Sequence, residues 1–137
     1  MKAQQITDDL EKLLGVLPLA VQKALSQDAN RKELIEVVLD LGRLPEARYP
    51  NGAIALGTKE ITSHDLETTI KKLGKFGSDN RAGIERTLHR ISAIRNRQQD
   101  VVGLTCRVGR AVFGTVEIVR DLIESGQSLL LMGRPGI

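Results

Sequence analysis

Leu10, Leu13, Leu14 and Leu17 recur at the three- and four-residue steps that put side chains on one helical face. Thr7, followed by Asp8 and Asp9, reads as the start of that helix, with anions at the positive end of its dipole. Pro18 suits the first position of a second helix, and Leu17, Val21, Ala24 and Leu25 supply its apolar stripe. From Ile35 the period shortens to two. Ile35, Val37, Leu39 and Leu41 alternate with Glu36, Val38 and Asp40, the pattern of a half-buried strand. Tyr49-Pro50-Asn51-Gly52 is turn chemistry, and Ala53 to Leu56 is short enough for a strand. Thr62-Ser63 opens a further helix. With Thr62 as cap, Asp65 takes the capping-box position, Leu66, Ile70 and Leu73 face inward, and Gly74 stops the helix.

The segment 84–95 fits either period, and the run after it decides for a strand. Val102, Leu104, Cys106 and Val108 point one way while Thr105 and Arg107 point the other, and the polar stretch 96–100 joins the two as a hairpin loop. Thr115 to Glu124 reads as a helix with Val116, Val119, Leu122 and Ile123 inward, and Ser128 to Met132 as a buried strand. The pattern predicts an α+β fold: amino-terminal helices, a small mixed sheet with one packed helix and a β-hairpin, then a connecting helix and one more strand. It divides as 1–114 (helical 1–33, sheet, helix and hairpin 34–114) and 115–137.

Composition narrows the function classes. At 137 residues, 41% apolar and 27% charged, the chain has an ordinary globular balance. No apolar run approaches the roughly 20 residues of a membrane span, and no secretory signal is visible at the amino end. Cys106 alone excludes an internal disulfide framework and fits a reducing compartment. With only Tyr49, Phe76 and Phe113 aromatic, a stacking surface for single-stranded bases is excluded. The net charge of +3 hides a local excess: residues 81–110 carry seven arginines against Glu85 and Asp100. Arg81, Arg86, Arg95, Arg97 and Arg110 are candidates for nucleic-acid contact, because the guanidinium fork matches phosphate geometry. Pairing with Glu85, Asp100 or acids of the first helices is the alternative. Lys71, Lys72 and Lys75 lie close in sequence and add to the same field. His64 reads as a surface residue, His89 as structural, and Cys106 as a buried, unreactive thiol. Neither histidine has the spacing of a metal site.

The carboxyl end carries a partial motif. Leu129-Leu130-Leu131-Met132 runs into Gly133-Arg134-Pro135-Gly136-Ile137, which matches the opening of the phosphate loop G-x-x-x-x-G-K-[ST] as far as it goes. The lysine and hydroxyl that grip phosphate and magnesium would follow Ile137.

Four stretches, Phe76 to Arg97, Val101 to Thr115, Leu39 to Tyr49 and Asp121 to Gly126, resemble a family of cyanobacterial and plastid AAA-type ATPases. That family is related to stage III sporulation protein AA and, more distantly, to secretion and pilus-retraction ATPases. The resemblance implies the amino-terminal oligomerisation and regulatory domain of a ring ATPase, with no catalytic activity of its own, joined to the first strand of a RecA-like core that is cut off inside its phosphate loop. It implies ATP and magnesium in the parent protein, a homo-oligomer, and a cytoplasmic or plastid-stromal setting. It also implies that Arg90 and Arg107 reach nucleotide at a subunit boundary. The nucleic-acid motif Arg-x-x-x-His of full-length members is not matched, since Arg86-Thr-Leu-His89 is one residue short. Gln99 stands where relatives tend to have glycine. The second expectation from the residues themselves is a basic single-stranded nucleic-acid-binding module built on Arg81 to Arg110.

Overall fold

The computed structural model describes residues 5–7 and 9–135, which fall into two compact units, residues 8–110 and residues 1–7 with 111–137. The larger unit begins with α1 (Leu10–Leu14) and α2 (Leu19–Ser26). Leu10, Leu13, Leu14, Leu17, Val21 and Leu25 are all buried, so the leucine pattern marks the core face as expected. Pro18 sits one position earlier than expected, as the cap of α2. Asp28 then accepts the Asn30 backbone N–H at 2.9 Å, a local turn that leads into a single 3-10 turn, Arg31–Glu33.

The sheet follows: β2 (Glu36–Asp40), β3 (Glu46–Tyr49), β4 (Gly52–Ala55), β5 (Arg81–Gly83), β6 (Arg90–Arg95) and β7 (Val101–Arg107), numbered after β1 (Gln5–Thr7) of the smaller unit. Their order is β4-β3-β2-β7-β6-β5, and every pairing between them is antiparallel. The α+β class stands, but the mixed sheet is corrected: the sole parallel feature among the described residues is an isolated bridge between Leu41 and Ile61. Short turns and one long excursion through α3 return the chain alongside itself, which antiparallel pairing permits.

The helix α3 (Ser63–Leu73) was legible residue by residue. Thr62 Oγ1 accepts from the Asp65 backbone N–H at 3.2 Å, and Asp65 Oδ2 accepts from the Thr62 backbone N–H at 2.9 Å, closing the capping box. Gly74 terminates the helix at φ +86°, a conformation that costs a residue with a Cβ. Leu66 of α3 joins Leu13, Leu17, Leu25, Val37, Leu39, Ala47, Ile91, Leu104 and Cys106 in one core. The helices therefore cover one face of the sheet, the face carrying Val37, Leu39, Ile91 and Cys106.

The smaller unit pairs β1 with β8 (Ala111–Phe113), antiparallel, with Thr7 opposite Ala111. Thr7 is thus a strand residue and not the predicted cap. The expected connecting helix is split into a 3-10 stretch, Thr115–Val119, and α4 (Arg120–Glu124). Arg120 bridges the two through Glu117 and Glu124, each at 2.9 Å. Val116, Leu122 and Ile123, expected inward, are exposed. The predicted strand 128–132 is corrected as well: among the described residues it has no ladder partner, and Leu130, Leu131 and Met132 lie in solvent. A four-residue apolar run carries no period that separates a buried strand from exposed irregular chain. No helix among the described residues is long and apolar enough to cross a membrane.

Candidate functional site

Side chains alternate along a strand, so the residues between the core positions form the opposite sheet face. Directly paired residues in an antiparallel ladder share a face, with Cβ atoms about 5 Å apart. One row across that face runs Arg48, Glu36, Arg107, Arg90, in the register Glu36 with Arg48, Glu36 with Arg107, and Arg90 with Arg107. The adjacent row runs Glu46, Val38, Thr105, Ser92, Arg81.

The charges of this face are divided. On its β2–β3 side, Arg48 reaches Glu36 at 2.7 Å and Glu46 at 3.1 Å, so both carboxylates are engaged. On its β7–β6–β5 side, Arg107, Arg90 and Arg81 are exposed, and among the described residues no carboxylate lies in ion-pair range of any of them. Arg90 and Arg107 face each other across the ladder, a like-charge pair that destabilises a sheet unless an anion joins it. Ser92 and Thr105, one row on, are half-buried, and among the described residues neither hydroxyl has a partner.

The seven arginines of the basic segment separate into three groups. Arg95 is structural: a register shift between Ile94 and Arg95 re-aims it, and it donates to Asn80 Oδ1 at 2.7 Å and the Gln99 carbonyl at 2.9 Å. Arg110 is also structural, donating to the Leu34 carbonyl at 2.5 Å and the Lys32 carbonyl at 2.8 Å. Arg81, Arg90 and Arg107 form the open-face cluster. Arg86, at φ +60° in the turn before β6, and Arg97, in the hairpin loop after it, stand exposed at the two ends of the β6–β7 ribbon. Among the described residues, the alternative of pairing with Glu85, Asp100 or acids of the first helices is not realised for Arg81, Arg86, Arg90, Arg95, Arg97 or Arg107. Lys71 and Lys72 belong to α3, with Lys72 Nζ turned toward the Gly15 carbonyl at 3.5 Å, Lys75 is exposed in the chain after it, and none of the three lies on the strands that carry the arginines.

The remaining candidates are structural. His89 is buried; Nδ1 accepts from the Gly109 N–H at 2.9 Å and Nε2 lies 2.9 Å from the Asp9 carbonyl, to which it must donate. His64 is exposed at the start of α3. Cys106 is fully buried, and burial, helped by the negative charge of Glu36, pushes its thiol up to about 12. Gly133, Arg134 and Pro135 follow the exposed 129–132 run with no strand leading into them, so the strand-to-loop geometry of a phosphate loop is not formed. Gly136 and Ile137 lie outside the described residues.

Sequence reasoning missed the pairing of Arg90 with Arg107 and of Ser92 with Thr105. Their signal was the matching alternation of the two hairpin strands, which fixes the register once the loop 96–100 is counted correctly.

Comparisons with known proteins bear on this directly. No family model matches the chain. It is similar to "uncharacterized protein ycf45" of Porphyra purpurea, 60% identical over 96% of the chain and 23% of the relative. "Protein SEEDLING PLASTID DEVELOPMENT 1" of Arabidopsis thaliana is 53% identical over 96% of the chain and 19% of the relative. A ycf45 protein of Cyanidium caldarium is 51% identical over 96% of the chain and 39% of the relative. The chain therefore spans between about a fifth and two-fifths of the length of these curated relatives. They overturn the reading of the chain as a truncated amino-terminal domain of an AAA-type ATPase: over nearly its whole length it matches ycf45 and plastid-development proteins instead. The expected plastid connection agrees with the name of the Arabidopsis relative.

Proposed function

We propose that this chain is a non-catalytic recognition domain of a plastid-type protein, and that it holds nucleic acid by its phosphates on the open face of the six-stranded sheet. One observation carries the reading: Arg81, Arg90 and Arg107 share that face without a carboxylate partner among the described residues, while Arg48 has two. Unbalanced guanidiniums next to free hydroxyls suit phosphate oxygens, which accept from both. The ionisable groups of chemical interest elsewhere are engaged in structure, as the buried Cys106 thiol and the doubly bonded His89 are. The test is titration of a fluorescent oligonucleotide with the wild-type protein and with Arg90→Ala/Arg107→Ala. Binding weakened at least tenfold in the variant, with an unchanged thermal melt, supports the reading; equal binding sinks it.

A second reading, self-association, is favoured by the exposed apolar side chains of Ile118, Leu130, Leu131 and Met132. Light scattering across a concentration series tests it: a mass that rises with concentration, and stops rising in Leu130→Ser/Leu131→Ser, supports it. A constant monomer mass rejects it.

A further inference from the structure

From the same face, and resting on the reading just given, we infer that the occupant is double-stranded nucleic acid bound without regard to sequence. A face that holds a single strand derives much of its affinity from bases stacked on aromatic rings, about 1–3 kcal/mol for each base. Among the described residues this face has no such ring. Tyr49 gives its hydroxyl to Asp28, and Phe76 packs against the core. A duplex keeps its bases stacked on each other and asks the protein only for phosphate contacts.

The spacing of the cations agrees. Arg81 lies two strands away from Arg107 and one row along, since Arg81 pairs with Ser92 and Ser92 with Thr105. With strands about 4.8 Å apart and same-face residues about 6.8 Å apart, those two backbone positions are about 12 Å from each other, which is close to the width of a duplex major groove. Arg90 sits between them. The cluster therefore straddles two phosphate rows, one on each strand of a duplex. Ser92 and Thr105, lying between the arginines, add neutral donors to the same oxygens.

The face offers no side-chain set for reading adenine or cytosine, and its arginines fork onto phosphate as readily as onto guanine. Its paired residues include no asparagine or glutamine, the side chains that recognise adenine bidentately, and its carboxylates Glu36 and Glu46 are held by Arg48. Those carboxylates also repel phosphate and so set the limit of the footprint at β2.

The test compares a short fluorescent duplex with its two separated single strands, of equal length and dye, in a competition assay against unlabelled duplexes of different sequence. The expected result is about tenfold tighter binding of duplex than of either strand, competition by every duplex sequence, and loss of duplex binding in Arg81→Ala/Arg107→Ala with an unchanged circular dichroism melt. Single strands bound as tightly as duplex, or competition by one sequence only, would overturn this inference and leave phosphate binding by the face intact. Binding of neither form would overturn both.

Discussion

At the residue scale, identical side chains have been given different work by their surroundings. Arg95 and Arg110 are consumed by carbonyls and an amide, whereas Arg90 and Arg107 oppose each other on an open face. Arg95→Ala therefore loosens the hairpin loop without touching the open sheet face; faster amide exchange at residues 96–100, with oligonucleotide affinity unchanged, checks this. Asp28 accepts from the Tyr49 hydroxyl and the Asn30 N–H, which hold its carboxyl below the usual range. A lowered folded value means stability is present above the unfolded carboxyl's pKa, near 3.9, and is lost as pH falls through the folded value. Tyr49→Phe is accordingly less stable than wild type at neutral pH, and the gap between their melts closes as acid protonates Asp28. Cys106 has the opposite sign. Its raised value leaves stability complete below about 9, the ordinary thiol value, and removes it as pH rises toward about 12.

At the element scale, the sequence spoke clearly where local chemistry and burial agree. In α3, the Thr62–Asp65 box, the Leu66 face and the Gly74 stop could all be read before any fold was known. Thr62→Ala removes the cap and costs about 1 kcal/mol, measurable by urea denaturation. The β6–β7 hairpin was legible by alternation, but its loop conformation was not: Gln99 sits at φ +68°, where a Cβ is strained. Gln99→Gly stabilises by up to about 1 kcal/mol, the relief of strain being partly offset by glycine's extra unfolded-state freedom. β1, β5 and β8 escaped notice because three residues hold too little period to register. The run 129–132 misled for the same reason, its composition being apolar and its environment solvent.

At the scale of the whole molecule, the larger unit is a two-layer domain, with helices on one sheet face and arginines on the other. The local charge excess of residues 81–110 was visible in the sequence, yet which arginines act together was not. Arg90 and Arg107 are joined by strand register, and register is a property of the assembled sheet. The face is held in shape by close packing at its end: a Cβ at Gly109 would come within 2.0 Å of the Leu88 carbonyl oxygen. Gly109→Ala thus forces the chain apart there, destabilising by about 1–3 kcal/mol and lowering the thermal midpoint by several degrees.

The central claim concerns location, so the most direct measurement is nuclear magnetic resonance mapping of the isotope-labelled protein during titration with a short nucleic-acid duplex at low salt. The account predicts that the backbone amides and arginine Nε–H groups of Arg81, Arg90, Ser92, Thr105 and Arg107 shift together and return as salt is raised. Shifts confined to Lys71 and Lys72 on α3 and to Lys75 beyond it, or no shifts at any position, would contradict it.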